Sequence, residues 1–203
     1  MIYNQTGHIL KMQMVHGNMS NPRVLAIAGP NGSGKSTIAK KIKKYGKYIN
    51  ADDLKVKYAL TDIEAAQKAE NLRNDFLRRK ADFTFETVLS TDRNLILLEE
   101  AQKSGYQVHC IYVLTKNVAI NIARVKGRVL DGGHDVPEGK IRSRFEKAMK
   151  LLPRLIEVCD FLLIYDNSTD DDPSLILKKE EKIITYYQTD IWSIDKIIEL
   201  LQK

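Results

Sequence analysis

The stretch Gly29-Pro30-Asn31-Gly32-Ser33-Gly34-Lys35-Ser36 decides the fold, and it directly follows the apolar run Val24-Leu25-Ala26-Ile27-Ala28. It satisfies G-x-x-x-x-G-K-[ST] and sits between a short apolar strand and a helix-forming segment from Thr37 to Lys44. The glycines let backbone N–H groups turn inward, so that amides and the positive end of the helix cradle a di- or triphosphate. Residues Gly29 to Thr37 are therefore the expected nucleotide-binding stretch, with Pro30, Asn31, Gly32, Ser33 and Gly34 forming the turn itself. Lys35 is placed to neutralise the β- and γ-phosphates, and the Ser36 hydroxyl to hold Mg²⁺. A ligand-free glycine turn would explain the glycines but not the whole motif in this setting.

The 203 residues suit one α/β domain with a full core. Within it we read an arm at 1–21, a core at 23–168, a lid at 124–137, and a hairpin and helix at 173–203. No apolar run approaches the ~18 residues of a membrane span. The polar start Tyr3-Asn4-Gln5-Thr6 is no signal peptide, which makes the cytoplasm the expected location. Cys110 and Cys159 each lie in an apolar strand-like stretch and read as small core side chains. The net charge of +6 fits a nucleic-acid surface or a phosphate site. No run of five basic residues occurs and no aromatic-basic interleaving is present, so nucleic acid is not the expected partner. His8, His16, His109 and His134 lack metal-ligand spacing with the cysteines, and His109 and Cys110 would face opposite sides of a strand.

Taken in order, the chain alternates strands and helices. Residues 1–21 contain one short alternating piece, Ile9 to Val15, read as an extra strand. Arg23 to Ala28 is the first core strand, and a helix from Lys35 to Lys44 ends at Gly46. Tyr48-Ile49-Asn50 is a brief second strand. Helices follow at Lys55 to Leu60 and Asp62 to Lys80, the latter with an apolar or small stripe of Ile63, Ala66, Ala69, Leu72, Phe76 and Leu77. Phe83 to Thr87 is a third strand. Ser90 or Thr91 caps the next helix, whose stripe is Leu95, Leu98 and Ala101 and which ends at Gly105. Tyr106 to Leu114 is a near-continuous apolar strand, as central parallel strands are. Helix Asn117 to Leu130 leads to the turn Asp131 to Pro137. A long helix, Glu138 to Val158, carries Ile141, Phe145 and Met149 inward and Lys140, Arg144, Lys147 and Lys150 outward, with Pro153 kinking or dividing it. Asp160 to Tyr165 is the fifth core strand; Leu175 to Lys179 and Ile183 to Tyr187 form a hairpin, and Ile194 to Leu201 a closing helix. This order predicts a P-loop NTPase fold with a doubly wound, parallel, five-stranded sheet, followed by the hairpin and helix.

The remaining motifs favour a kinase. Thr115-Lys116-Asn117-Val118 is not the guanine-reading Asn-Lys-x-Asp of a GTPase, and Phe83-Thr84-Phe85-Glu86 is a weak match to the acidic strand of a motor ATPase. Small-molecule kinases place an acidic residue after the second strand, where it accepts the proton of an incoming hydroxyl. Asp52 and Asp53 lie there; we read Asp52 as the base and Asp53 as a helix cap on the acceptor side. Glu86 ends a strand otherwise apolar, where ligand clefts open in such sheets, and reads as a substrate or metal contact rather than a rim glutamate paired with lysine. Thr87 follows it. Arg124 and Arg128, four residues apart on one helix face before Gly132-Gly133, read as lid arginines acting on the transferred phosphoryl group. His134 extends that surface, and Asp135 with Glu138 reads as a capping box. ATP with Mg²⁺, held by Ser36 and Glu86, is the expected cofactor, and a small-molecule hydroxyl the expected acceptor. A nucleotide-ordered switch without transfer is the competing class, and it has no need of Asp52 as a base.

Gly29 to Ser36, Asn50-Ala51-Asp52-Asp53, Phe85-Glu86-Thr87, Ile122-Ala123-Arg124 and Val136-Pro137 together resemble the zeta toxin family of bacterial P-loop kinases, over about residues 23–168. The resemblance implies an adenylate-kinase-like core and transfer of the ATP γ-phosphate to a sugar hydroxyl of a UDP-linked amino sugar. By position it makes Lys35 the phosphate ligand, Asp52 the base, Glu86 a substrate or metal contact, and Arg124 the residue that steadies the transferred group. It also makes an antitoxin protein a candidate partner. One departure stands out: family toxins carry a second lid arginine shortly before the proline, where this chain has His134, with Arg128 as the candidate substitute. The acceptor class therefore also includes a nucleoside, a sugar acid or a polynucleotide end.

Overall fold

Apolar runs too short for helices, each followed by an amphipathic stretch, build one sheet with helices on both faces. The structure is a computed structural model describing residues 21–202, so the strand expected at Ile9 to Val15 lies outside the described residues. The strands are β1 (Arg23–Ala28), β2 (Lys47–Ile49), β3 (Phe83–Thr87), β4 (Gln107–Leu114), β5 (Phe161–Asp166), β6 (Ser174–Glu180) and β7 (Ile183–Tyr186). Their order across the sheet is β2-β3-β1-β4-β5-β6-β7. The first five run parallel. The hairpin expected after Pro173 does not stand apart: β6 pairs antiparallel with β5 and β7 with β6, so the five parallel strands become a seven-stranded sheet.

β1 is central because both of its faces are apolar. Val24, Ala26 and Ala28 join the larger core with Phe83, Phe85, Cys110 and Tyr112, whereas Leu25 and Ile27 pack with Ile38 and Ala39 of the helix that follows and with Ile42 just beyond it. All five β1 residues from Val24 to Ala28 are fully buried, and each burial of a Val or Ile side chain contributes about 2 kcal/mol. Since β1 has β3 on one side and β4 on the other, the chain reverses direction across the sheet there. A crevice opens at that point, beyond the carboxyl ends of the strands.

The helices are α1 (Lys35–Lys41), α2 (Ala51–Tyr58), α3 (Asp62–Arg78), α4 (Asp92–Lys103), α5 (Val118–Leu130), α6 (Glu138–Lys150), α7 (Leu152–Val158) and α8 (Ile194–Leu201). Several boundaries differ from expectation for physical reasons. α1 stops at Lys41, because Ile42 turns extended to reach the core, and Gly46 instead forms the turn into β2. α2 begins at Ala51 and not at Lys55; Asn50 is its cap, its side chain accepting from the Asp52 N–H, so Asp53 is no cap. The long helix divides at Leu151, next to Pro153. Pro137 occupies the cap position of α6 without a side-chain bond, so Asp135 and Glu138 form no capping box and Glu138 pairs with Arg142 and Lys126 instead. The capping box the sequence did not announce is Thr61 with Glu64 at α3. On α3 the buried stripe is Ala65, Ala69 and Arg73; Ile63 and Ala66 face solvent.

At the amino ends of the strands lies a polar knot inside the apolar layer. His109 of β4 shares a 2.9 Å hydrogen bond through Nδ1 with the Tyr45 hydroxyl and packs on Phe161. Arg23 lies over the Tyr45 ring and grips Asp82. Burial, assisted by the Arg23 charge against the opposing Asp82, lowers the His109 pKa to about 4 from the usual 6.5. The unfolded chain therefore takes up a proton near pH 6.5 that the folded chain refuses until about pH 4. Stability is retained above pH 6.5 and falls as pH drops through that window, by at most ~1.4 kcal/mol per pH unit for one group. We predict that His109→Gln flattens the pH dependence of chemical denaturation between pH 6.5 and 4; a slope identical to wild type would show that another group governs it.

Candidate active site

The phosphate loop is shaped by close backbone approaches. Gly29 adopts φ 139°, and a Cβ there would lie 2.1 Å from the Val113 carbonyl oxygen of β4. Gly34 adopts φ 100°, and a Cβ there would lie 2.2 Å from the Asn167 side-chain nitrogen. Neither position tolerates a side chain. Two asparagines hold the loop from either side: Asn121 of α5 donates to the Asn31 carbonyl at 2.6 Å, and Asn167 after β5 donates to the Ser33 carbonyl at 2.8 Å. Asn121 is itself fully buried and accepts from the Thr115 hydroxyl. With these carbonyls tied outward, the loop is set to present its amides to a ligand.

The Ser36 hydroxyl bonds Glu86, and the charges of Glu86 and Asp52 act on the Lys35 ammonium. The Lys35 ammonium donates to the Pro30 carbonyl at 2.8 Å. Burial lowers its pKa to about 8, opposed by the carboxylates of Glu86 and Asp52 and reinforced by the cations of Arg128 and Arg144. All four charges thus act on one ammonium group. Arg144, expected to point outward from α6, is half-buried and reaches Asn31 Oδ1 at 3.4 Å. It lies one turn after Ile141, on the flank of the buried face, and that spacing was the available signal.

From Ser36 a chain of hydrogen bonds runs to the acidic turn. The Ser36 hydroxyl donates to Glu86 Oε2 at 3.0 Å, and the Tyr48 hydroxyl donates to Glu86 Oε1. Burial and then this bond to Glu86 raise the Tyr48 pKa above the ordinary phenol range. Asn50 Nδ2 donates to the Tyr48 hydroxyl at 3.3 Å while Asn50 Oδ1 caps Asp52. Tyr48 and Asn50, given no role from the sequence, thus connect the Glu86 carboxylate to the Asp52 backbone N–H. A polar residue directly before an acidic first turn is a cap signature, and that signal would have found Asn50.

The other expected residues are placed differently. Arg124 does not project over the loop; it donates to the carbonyls of Asn167 and Thr169 at 2.6 and 2.8 Å. Arg128 donates to the His134 carbonyl at 2.6 Å and so braces the turn after α5. His134 is exposed, and the contact it makes is through its backbone carbonyl, to Arg128. Asp53 lies exposed on the first turn of α2, where its charge acts on Tyr48. Thr87 is buried on the opposite face of β3 from Glu86, accepting from Asn94 Nδ2 at 2.7 Å and from the Leu89 N–H. Beside the loop an open cleft of about 280 Å³ is lined by Gly34, Thr37, Lys41, Arg124, Asn167 and the turn Thr169 to Pro173. Among the described residues no helix is long and apolar enough to cross a membrane.

Comparison with known proteins agrees with this arrangement. A relative from Haemophilus influenzae, described as an uncharacterized protein, is 30% identical over 129 residues, which is 61% of this chain and 92% of the relative. The AvrRxo1-ORF1:-ORF2 complex with ATP superposes with a TM-score of 0.65 at 14% identity, covering 82% of this chain; the present chain spans 60% of the length of its match there. A structure from the PezAT toxin-antitoxin system of Streptococcus pneumoniae superposes with a TM-score of 0.53 at 18% identity, covering 94% of this chain and 87% of the other. At such identities the superpositions show a shared P-loop kinase-like fold. The zeta toxin family profile matches residues 7–180, and the chain belongs to the zeta toxin family.

Proposed function

We propose that the protein is an ATP- and Mg²⁺-dependent kinase that transfers the γ-phosphate to a hydroxyl of a small-molecule acceptor, with a UDP-linked amino sugar as the first acceptor to test. The observation that carries this is the hydrogen-bonded chain from Ser36 through Glu86, Tyr48 and Asn50 to the Asp52 backbone N–H, beside Lys35, which fixes next to a phosphate cradle the helix turn that carries the exposed Asp52 carboxylate. A nucleotide switch has no use for that second carboxylate. The structural likeness to an ATP complex and to a toxin-antitoxin system supports ATP as donor and an antitoxin as partner. ATP also makes the cytoplasm the working location.

Gly29 to Thr37 hold the β- and γ-phosphates, and the cleft between Arg124 and the turn Thr169 to Pro173 takes the nucleoside. Ser36 and Glu86 offer two oxygen donors 3.0 Å apart at the phosphate end, the donor type a hard divalent cation requires. Mg²⁺ bound there would neutralise charge between the β- and γ-phosphates. Tyr48 holds one Glu86 oxygen so that the other stays turned to Ser36. Asp52 takes the proton of the acceptor hydroxyl as its oxygen bonds to the γ-phosphorus and the bond to the β–γ bridging oxygen breaks, releasing ADP. Lys35, Arg128 and Arg144 meet the charge that develops on the transferring group. Arg124, tied to Asn167 and Thr169, acts by closing the nucleoside cleft and steadying the phosphate chain from that side.

Three outcomes test this. Asp52→Asn should leave ATP affinity intact and lower transfer about 10²- to 10⁴-fold, the usual effect of losing a general base, while Asp53→Asn changes it only slightly. Steady-state kinetics over UDP-sugars, nucleosides, sugar acids and oligonucleotide ends decide this, and an unimpaired Asp52→Asn enzyme would contradict the assignment. Lys35→Ala should abolish transfer with the fold retained, checked by circular dichroism beside the kinetics. Tyr48→Phe should raise the Mg²⁺ concentration for half-maximal rate about tenfold, because Glu86 loses a hydrogen bond to its charged form; an unchanged Mg²⁺ requirement would show that Tyr48 does not orient Glu86.

A further inference from the structure

Two turns meet at the amino ends of the strands, the end of the sheet away from the phosphate loop. One, between α1 and β2, belongs to the stretch Lys40 to Lys47, which holds five lysines and no carboxylate. The other, Arg78 to Asp82, joins α3 to β3 and begins with three cations in succession. A Cβ at Gly46 would lie 1.8 Å from the Asp82 carbonyl oxygen, and the Lys47 N–H donates to that oxygen at 3.4 Å. Lys47 stands opposite Phe83 in the parallel ladder, so both side chains share the sheet face on which α3 packs. At the exposed end of that helix stand Arg78, Arg79 and Lys80.

Acidic neighbours do not cancel this charge. Asp82 is gripped by Arg23, and Arg78 and Arg79 share the single carboxylate of Asp75 at 3.6 and 2.9 Å. Lys40, Lys43, Lys47 and Lys80 are exposed and hold no ion pair among the described residues. Like charges held together repel, and a polyanion relieves that repulsion. The surface also lacks what other anionic partners need. A protein interface has an apolar core, and a membrane-surface site has an apolar or lipid anchor beside its cations. Among the described residues, the exposed large apolar side chains all lie outside 40–47 and 78–82. A single strand of nucleic acid binds by stacking its bases on aromatic rings, but Tyr45 is buried beneath Arg23, and Tyr48 is engaged by Lys44 and Glu86. A duplex asks only for cations along its backbone.

We propose that the surface formed by Lys43, Lys47, Arg78, Arg79 and Lys80 binds the phosphate backbone of a nucleic-acid duplex, without regard to base sequence. Its cations come from two segments remote in the chain, so neither forms the continuous basic run by which such a site is read from sequence. The fold joins them through the contact of Gly46 and Lys47 with Asp82. The surface and the phosphate loop lie at opposite ends of the six-residue strand β1, about 20 Å apart at ~3.3 Å per residue. A bound duplex therefore leaves the nucleotide cleft open, and the site stands independently of the kinase reading.

The test is fluorescence anisotropy of a labelled duplex DNA of about 20 base pairs titrated with the full chain. The phosphate loop is saturated with Mg²⁺ and a non-hydrolysable ATP analogue, so that no DNA phosphate enters there. Wild type should bind saturably, with log K falling against log salt at a slope of about −4, or about 250-fold between about 50 and 200 mM salt. The variant Lys43→Gln/Lys47→Gln/Lys80→Gln should reduce the magnitude of that slope by about 3, since each lysine lost removes about one phosphate contact. Its melting temperature should match wild type, because none of the three lysines holds an ion pair. Lys150→Gln/Lys182→Gln/Lys196→Gln removes the same charge from exposed positions elsewhere and should bind as wild type does. Absence of saturable binding, or equal weakening by the two triple variants, would overturn the proposal. Tighter binding of the single strand than of the duplex would also overturn it. So would poly-glutamate binding more tightly than DNA, which would assign the surface to an acidic protein. Sedimentation with phosphatidylserine vesicles in the absence of DNA binding would overturn it in favour of a membrane.

Discussion

Much of the structure depends on holding one closely packed glycine loop in place. The backbone from Gly29 to Gly34 passes so near Val113 and Asn167 that side chains are excluded at both ends. The Asn31 and Ser33 carbonyls are taken by Asn121 and Asn167. Those asparagines come from α5 and from the exit of β5, so the loop is correct only when β1, β4 and β5 are in register and α5 is docked. The buried parallel strands supply that register, and the loop's conformation in turn fixes where α1 begins.

The same register delivers the charged groups. β3 lies beside β1 with Ile27 opposite Glu86, which sets the carboxylate against the first turn of α1. β2 lies beside β3 and brings Tyr48 to the other Glu86 oxygen. Asn50 then both supports Tyr48 and starts the helix that carries Asp52. The charges of Arg128 on α5 and Arg144 on α6 also act on Lys35. Arg124 and Arg128 are meanwhile held by the backbone carbonyls of Asn167, Thr169 and His134.

Local, strongly typed signals were legible in the sequence. The phosphate loop, the limits of Phe83–Thr87 and Ile194–Leu201, the division at Pro153 and the strand-helix alternation all depend on nearest neighbours along the chain. Most of what was missed depends on partners remote in sequence. One miss was local: the helix begins at Ala51, which puts Asn50 at the cap position and Asp53 inside the first turn. Arg144 turned inward because Asn31 and the loop lay opposite, and periodicity cannot see across a gap of 113 residues. Arg73 was invisible because an arginine at a buried helical position breaks the pattern that defines the stripe. The hairpin was recognised, but its union with β5 is a tertiary choice: the apolar side chains of Ile176 and Leu177 bury completely only against the sheet.

The central claim is that these groups move a phosphoryl group from ATP to a hydroxyl rather than to water or nowhere. Its most direct measurement is phosphorus NMR of the protein with Mg²⁺-ATP and a UDP-linked amino sugar, followed to completion. The account predicts ADP and a new phosphomonoester resonance growing in equal amounts, with little inorganic phosphate. ADP matched by inorganic phosphate alone, or unchanged ATP with every acceptor tried, would contradict it.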